Sequence, residues 1–286
     1  MSEECIVRVQ KTLVQFYEDH PQIGASHGIG HVMAAHNHAV KAIESHNLCC
    51  STRNKISDIT AMEIRIAALL HDADDRKFFP QDVGQLHNAT RICESAGVQP
   101  DSIKRILEMI KWVGCTENGN SIPPEIQRTN EYHLLIPRWS DRLEAVGCIG
   151  VVRCYQYNRE IGAPLWKDND LYDSPRPTSE EEIWKLATPE RFEDYLKCER
   201  DKIEKRKSTT ANKRERSSMI SHYYDKLLHV ARPPKQLVRN KYLEAIAEES
   251  SKEMIKVLLR YGETAFFERE MQVTIHRHLF ILTSTI

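Results

Sequence analysis

The sequence predicts an all-α protein, and three observations carry that reading. Apolar residues recur at helical spacing along most of the chain, no stretch shows the alternation of a half-buried strand, and the gaps between apolar runs hold helix caps and stops. Ile6, Val9, Leu13 and Phe16 form a first stripe that ends at His20-Pro21. A second helix is expected from about Gly30, with Val32, Ala35, Ala39 and Ile43 on one side and His31 in its first turn. Thr60-Ala-Met-Glu63 reads as a capping box for a third, whose Ile64, Ala67, Ala68 and Leu70 lead into His71. Pro100 suits the first position of the run Ile103, Ile106, Leu107, Ile110 and Val113, and Gly114 suits its stop.

Residues 118–129, with Gly119 and the pair Pro123-Pro124, read as a loop. A long helix is expected from about Pro137 to Ile161, stopped by Gly162, with Gly147 and Gly150 as close-packing positions. Residues 168–177 are turn-rich, and about 175–216 reads as a charged insertion. Its runs 202–207 and 213–216 interleave acids with bases, which suits a solvated face better than a nucleic-acid or nuclear-import determinant. Helices resume at Ser218–Val230 and from about Lys235 to Phe267. The expected organisation is one helical domain over residues 1–268 and a C-terminal tail, 269–286, richer in Val, Ile, Thr and Leu.

Bulk properties exclude several classes. Lys+Arg 40 against Asp+Glu 41 leaves a formal charge of -1, so no global field draws in nucleic acid or a membrane surface. No apolar run approaches a membrane span, and the N-terminus lacks a signal-peptide pattern. The 8 cysteines are scattered without a C-x-x-C pair, as reduced thiols are rather than a disulfide framework or thiolate zinc site. A cytoplasmic protein is expected, with the nucleus also open to it.

The chemistry-bearing residues are His31, then His71-Asp72, then Asp141. Each is an imidazole or carboxylate donor on or beside a helix, and together they suit one hard-to-borderline divalent ion: Mn, Mg, Co or Fe. Neighbouring helical residues point about 100° apart, so His71 and Asp72 reach one ion only where their helix ends. Each histidine is expected to donate its other N–H to a nearby acceptor. His36, His38 and His46 are expected on the surface. Asp75 could orient or deprotonate an attacking water and Lys77 could hold a phosphate oxygen, although Asp74, Asp75 and Arg76 also read as a solvated corner.

The flanking words sharpen the picture. Ser26-His27-Gly28-Ile29-Gly30-His31, the stretch from Leu69 to Lys77 and the stretch from Ser140 to Gly147 resemble the HD-domain metal-dependent phosphohydrolase superfamily. The forms HxxxH at His27–His31, HDxxDxK at His71–Lys77 and DRLEAxGxIG at Asp141–Gly150 are similar to a single-domain branch of predicted hydrolases. Gly162-Ala-Pro-Leu-Trp166 and His222–Leu228 extend the similarity to about residue 268. The resemblance implies an HD-type helical bundle with additional C-terminal helices and one divalent ion on His31, His71, Asp72 and Asp141. It gives Asp75 and Lys77 catalytic roles; His27 reads as a substrate contact, a support for the ligands or a first-turn cap residue, and Arg142 and Lys226 as substrate phosphate partners or structural ion pairs. The activity implied is hydrolysis of a phosphate monoester or anhydride of a small molecule, a nucleotide among the candidates. The chain departs from the branch at Trp139, where an Asp is usual, and at Ala34-Ala35, where Arg-Val is usual. Two other readings stand beside it. A two-metal phosphodiesterase or di-iron oxygenase needs extra histidines between Asp72 and Asp141, where only His87 and His133 occur. A degenerate module would bind a nucleotide as a sensor or scaffold without turnover.

Overall fold

In the computed structural model, residues 3–24, 27–49, 51, 54–80, 84–168, 170–171, 174–206 and 218–264 are described, and they are all-α. The expected tail, 269–286, lies outside the described residues. The chain falls into two compact units, one of residues 1–144 and 233–246 and one of residues 145–232 and 247–286.

In the first unit, α1 (Glu3–Asp19) buries the expected stripe of Ile6, Val9, Leu13 and Phe16. Then come α2 (Ile29–Cys49) and α3 (Asp58–Leu70). Ser57 caps α3 by accepting the Thr60 amide at 3.2 Å, so the helix starts before the expected box at Thr60. Glu63 does not cap; it is buried and takes Arg105 Nη2 at 2.5 Å. Ile64, Ile66, Ala67, Ala68, Leu69 and Leu70 expose no surface, so the C-terminal half of α3 is covered by its neighbours, with Arg65 its one partly exposed residue. Burial of each leucine contributes roughly 2 kcal/mol. Ala35, Ala39 and Ala42 are also buried, and such small residues let α2 approach α3 closely.

Next are α4 (His87–Ser95) and α5 (Pro100–Lys111), which opens on Pro100 as expected. The stretch expected as loop, 118–129, contains a short helix, α7 (Pro124–Thr129), and another, α6 (Cys115–Asn118), ends at its first residue. Pro124 starts α7 because a proline at a first helical position loses no hydrogen bond. Gly114 precedes α6 rather than ending α5. A 3₁₀ turn, Tyr132–Leu135, leads into α8 (Ile136–Glu144), which packs on α2 and α3.

The long helix expected from Pro137 to Ile161 is two helices, α8 and α9 (Gly147–Glu160). Val146 is extended and Gly147 has φ +70°, a left-handed conformation that a side chain would strain. Gly150 does serve close approach, since a Cβ there would run into the Ala145 carbonyl.

The second unit holds α9, α10 (Glu180–Leu186), α11 (Pro189–Arg206), α12 (Met219–His222) and α13 (Leu228–Ala231). The stretch read as a charged insertion gives Ile183, Phe192 and Leu196 to the buried interior, while Glu190, Glu193, Asp194, Lys197 and Arg200 of α11 are exposed. Ser218–Val230, expected as one helix, passes through a π-helical turn at Tyr223–Leu227. In the first unit, α14 (Lys235–Val238) stops at Arg239, which is left-handed; α15 (Lys241–Thr264) restarts from Asn240, and its residues from Ala247 on belong to the second unit. Asn240 Oδ1 accepts the Leu243 amide at 3.1 Å and Glu244 accepts the Asn240 amide at 3.0 Å, a reciprocal cap that splits the expected Lys235–Phe267 helix. Among the described residues no helix is long and apolar enough to cross a membrane.

The Glu63–Arg105 pair is a stability test. Arg105→Ala is expected to cost about 3 kcal/mol, read by urea denaturation, because it strips the partner from a buried carboxylate. Glu63→Leu/Arg105→Met should recover most of the loss.

Candidate metal centre

Three chain segments meet at one point. His31 lies in the first turn of α2, and His71-Asp72 directly follow the last residue of α3. Asp141 was expected near the start of a long helix. It occupies the last turn of α8, terminal at the opposite end because that helix stops at Glu144. His31 Nε2 and His71 Nε2 are 3.1 Å apart. Asp141 Oδ1 is 3.2 Å from each nitrogen, while Asp72 Oδ2 is 3.5 Å from His31 Nε2 and Asp72 Oδ1 is 3.5 Å from His71 Nε2.

These spacings fit a divalent ion. Donors about 2.1–2.3 Å from an ion and at right angles lie about 3.0–3.3 Å from each other. His71 Nδ1 is 2.9 Å from the Ala68 carbonyl, which can accept only a proton, so Nδ1 carries it and Nε2 turns a lone pair inward. The matching acceptor expected for His31 is not found among the described residues, where its Nδ1 is buried without a partner. Two imidazoles and two carboxylates, with no thiolate, suit Mn, Mg, Co or Fe.

The electrostatics of these four side chains are those of a proton trap. Burial opposes charge on His31, but the Asp141 and Asp72 carboxylates outweigh it and the pKa rises. At His71 burial again opposes, and Asp72 and Asp141 lift the pKa to about 10. Burial would raise Asp72, yet His71 and His31 bring it down to about 2. Asp141 is held well below the usual carboxylate range by the same two rings, against burial.

A second cluster adjoins the first. His27, Asp72 and Asp75 each offer a donor atom, all within 4.8 Å of one another. Lys77 Nζ donates to His27 Nε2 at 2.9 Å and lies 3.6 Å from Asp75 Oδ2. The Lys77 amide donates to Asp75 Oδ1 at 2.8 Å, which fixes that carboxylate. So Asp75, Lys77 and His27 are together, beside the four-residue cluster.

The other expected residues fall elsewhere. Arg142 is buried and donates to the Gly119 carbonyl and Asn120 Oδ1, which ties down the loop before α7. Lys226 belongs to the second unit, its Nζ 5.8 Å from the centre of the Tyr195 ring. His87 meets Gln85 at 2.6 Å, and the His133 ring lies 5.5 Å from that of His46. His36 is buried rather than on the surface, because Arg65 Nε reaches its Nε2 at 3.3 Å.

Several residues around the site were not expected. Asp74 is no solvated corner: its two oxygens accept the Asn88 and Ala89 amides at 2.8 and 2.9 Å, capping α4 from a distance. Asn88 Nδ2 returns a bond to the Ala73 carbonyl at 3.0 Å. His38 Nδ1 meets the Tyr242 hydroxyl at 2.8 Å and its Nε2 lies 3.3 Å from Glu144. The Tyr17 hydroxyl is buried without a partner among the described residues, and burial, then Asp72 and Asp75, oppose its ionisation. A helical spacing did hint at one pair, since His38 follows His31 by two turns.

Fold and cluster together define an all-α protein with a candidate His/Asp metal centre. No protein-family model matches the chain. Over 262 residues it is 31% identical to the uncharacterised protein L803 of Acanthamoeba polyphaga mimivirus, covering 87% of this chain and 93% of L803. The chain belongs to the L803 family. Its fold is shared with a Lactobacillus plantarum protein of known crystal structure, at a TM-score of 0.56 and 16% identity, covering 91% of this chain and 96% of that one. The Lin1889 protein of Listeria innocua matches at a TM-score of 0.51 and 17% identity, covering 92% and 97%. At these identities the likeness is one of fold.

The proton trap sets a pH dependence. The folded chain binds protons at His31 and His71 more tightly than the unfolded chain does. That stabilisation is whole below about pH 6.5 and is lost as pH rises toward about 10. Melting of the ion-free protein should therefore shift to lower temperature across that window, and His71→Ala should flatten the shift.

Proposed function

We propose that the chain is a metal-dependent phosphohydrolase of the HD type, cleaving a phosphate monoester or anhydride of a small molecule, with nucleotides the first class to test. One observation carries the reading: two imidazole nitrogens and two carboxylates, from three helix ends, converge within 3.1–3.5 Å. The HDxxDxK form at His71–Lys77 supports it, because the two residues it adds to the ligand pair stand beside the cluster.

His31, His71, Asp72 and Asp141 would hold one divalent ion. Such an ion supplies Lewis acidity toward water and toward a phosphoryl oxygen. Asp75, tethered through Oδ1 to the Lys77 amide, keeps Oδ2 to accept a proton from an attacking water. Lys77 Nζ would exchange His27 for a phosphoryl oxygen and neutralise its charge. His27 then holds the lysine ready in the absence of substrate. Arg142 acts on the 119–120 loop, a positioning role.

The purified protein is expected to hold about one divalent ion per chain, read by elemental analysis, and His71→Ala or Asp72→Ala should abolish tight binding with helical content kept. Unchanged stoichiometry in both variants would overturn the ligand assignment.

Turnover is tested on a panel of nucleotides and sugar phosphates with Mn, Co, Mg and Fe. Asp75→Asn should lower kcat roughly 100-fold while leaving metal affinity nearly unchanged, since it keeps shape and loses the proton acceptor. Lys77→Ala should lower kcat/KM about tenfold or more. A fully metallated protein inert across the panel would favour the sensor reading instead.

A further inference from the structure

We infer that Lys77 is a built-in cation that plugs a second divalent-metal site formed by His27, Asp72 and Asp75. This site shares Asp72 with the centre proposed above but neither of its histidines. Its three donors lie within 4.8 Å of one another, close enough for one ion to reach all three. An imidazole accepts from an ammonium only through an unprotonated nitrogen. The Lys77–His27 bond at 2.9 Å therefore occupies an Nε2 lone pair of the ring, one a metal could otherwise take. The ring already points its donor at a cation.

The carboxylates are set in the same way. The Lys77 amide holds Asp75 Oδ1 at 2.8 Å, leaving Oδ2 facing the ammonium at 3.6 Å. Backbone and side chain of one residue thus both shape and fill the site. Charge balance explains the plug. Asp72, Asp75 and Asp141 are matched by one divalent ion and one ammonium, so a second ion has no excess negative charge to attract it while Lys77 stays. Replace the ammonium with an uncharged side chain and the three donors remain with one negative charge unmatched, a hard-to-borderline set open to solvent. The Lys77 side chain is 57% exposed, so its loss disturbs little packing.

The experiment is a Mn titration followed by calorimetry and by electron paramagnetic resonance on wild type, Lys77→Met, Lys77→Arg and Lys77→Met/His27→Ala. Lys77→Met is expected to bind a second equivalent at least tenfold more tightly than wild type. Because Asp72 belongs to both groups, the isolated-ion signal should broaden or vanish as that equivalent loads. Lys77→Arg, which keeps the charge, should behave as wild type, and the double variant should lose the second equivalent only. No added equivalent in Lys77→Met overturns the inference. So does one equally tight in wild type or Lys77→Arg, one retained without His27, or one that leaves the isolated-ion signal unbroadened. A wild type that binds no ion sinks the four-ligand centre; one equivalent gained in Lys77→Met and lost again with His27→Ala then still upholds this site, the broadening criterion applying only where two ions load.

Discussion

Two imidazole nitrogens 3.1 Å apart, with carboxylate oxygens at 3.2–3.5 Å, are donors crowded face to face. Unprotonated, the two ring lone pairs repel; protonated, the rings repel each other while Asp72 and Asp141 attract both. The surrounding helices must impose this arrangement. The imposing element is α3, whose last turns are buried among its neighbours and which delivers His71 and Asp72 at its end as a rigid rod would. Once α3 is fixed, α2 and α8 need only pack against it to bring His31 and Asp141 within reach.

Polar contacts then refine what packing has set. The Ala68 carbonyl orients His71, and Asp74 anchors the chain just past the ligand pair to the start of α4. Asp74 does so across a loop, because Leu86 at the cap position of α4 offers no side-chain acceptor. The α2–α8 interface has a second rung beyond the first: His31 faces Asp141, and His38 faces Glu144 with Tyr242 behind it. The spacing of seven residues on one helix and three on the other keeps both rungs on facing sides. A slide of either helix would break both at once.

Much of this was legible in the sequence. The stripe Ile6, Val9, Leu13 and Phe16 and the proline start at Pro100 follow from periodicity and capping chemistry, while the convergence of His31, His71-Asp72 and Asp141 follows from the resemblance their spacing and flanking words carry. What escaped were breaks made by a single backbone conformation. Helical periodicity runs unbroken through Val146-Gly147, and only the left-handed φ of Gly147 divides α8 from α9. Arg239 is harder still, a non-glycine residue in the left-handed region with no composition signal, although the Asn240–Glu244 cap beside it could have been read. Asp74 was hidden for another reason. Its partners, Asn88 and Ala89, are far along the chain, and a carboxylate among charged neighbours looks solvated until the fold supplies two amides.

Trp139 stands where a carboxylate would have been expected, two residues before Asp141 and so about 200° away around α8. It is buried, with the Arg142 guanidinium 4.7 Å and that of Arg138 5.5 Å from its ring, while Arg142 holds the 119–120 loop. One short helix therefore presents a donor on one side and an aromatic shelf for two cations on the other. The indole is an intrinsic chromophore seated against the two arginines, on the side of α8 away from Asp141.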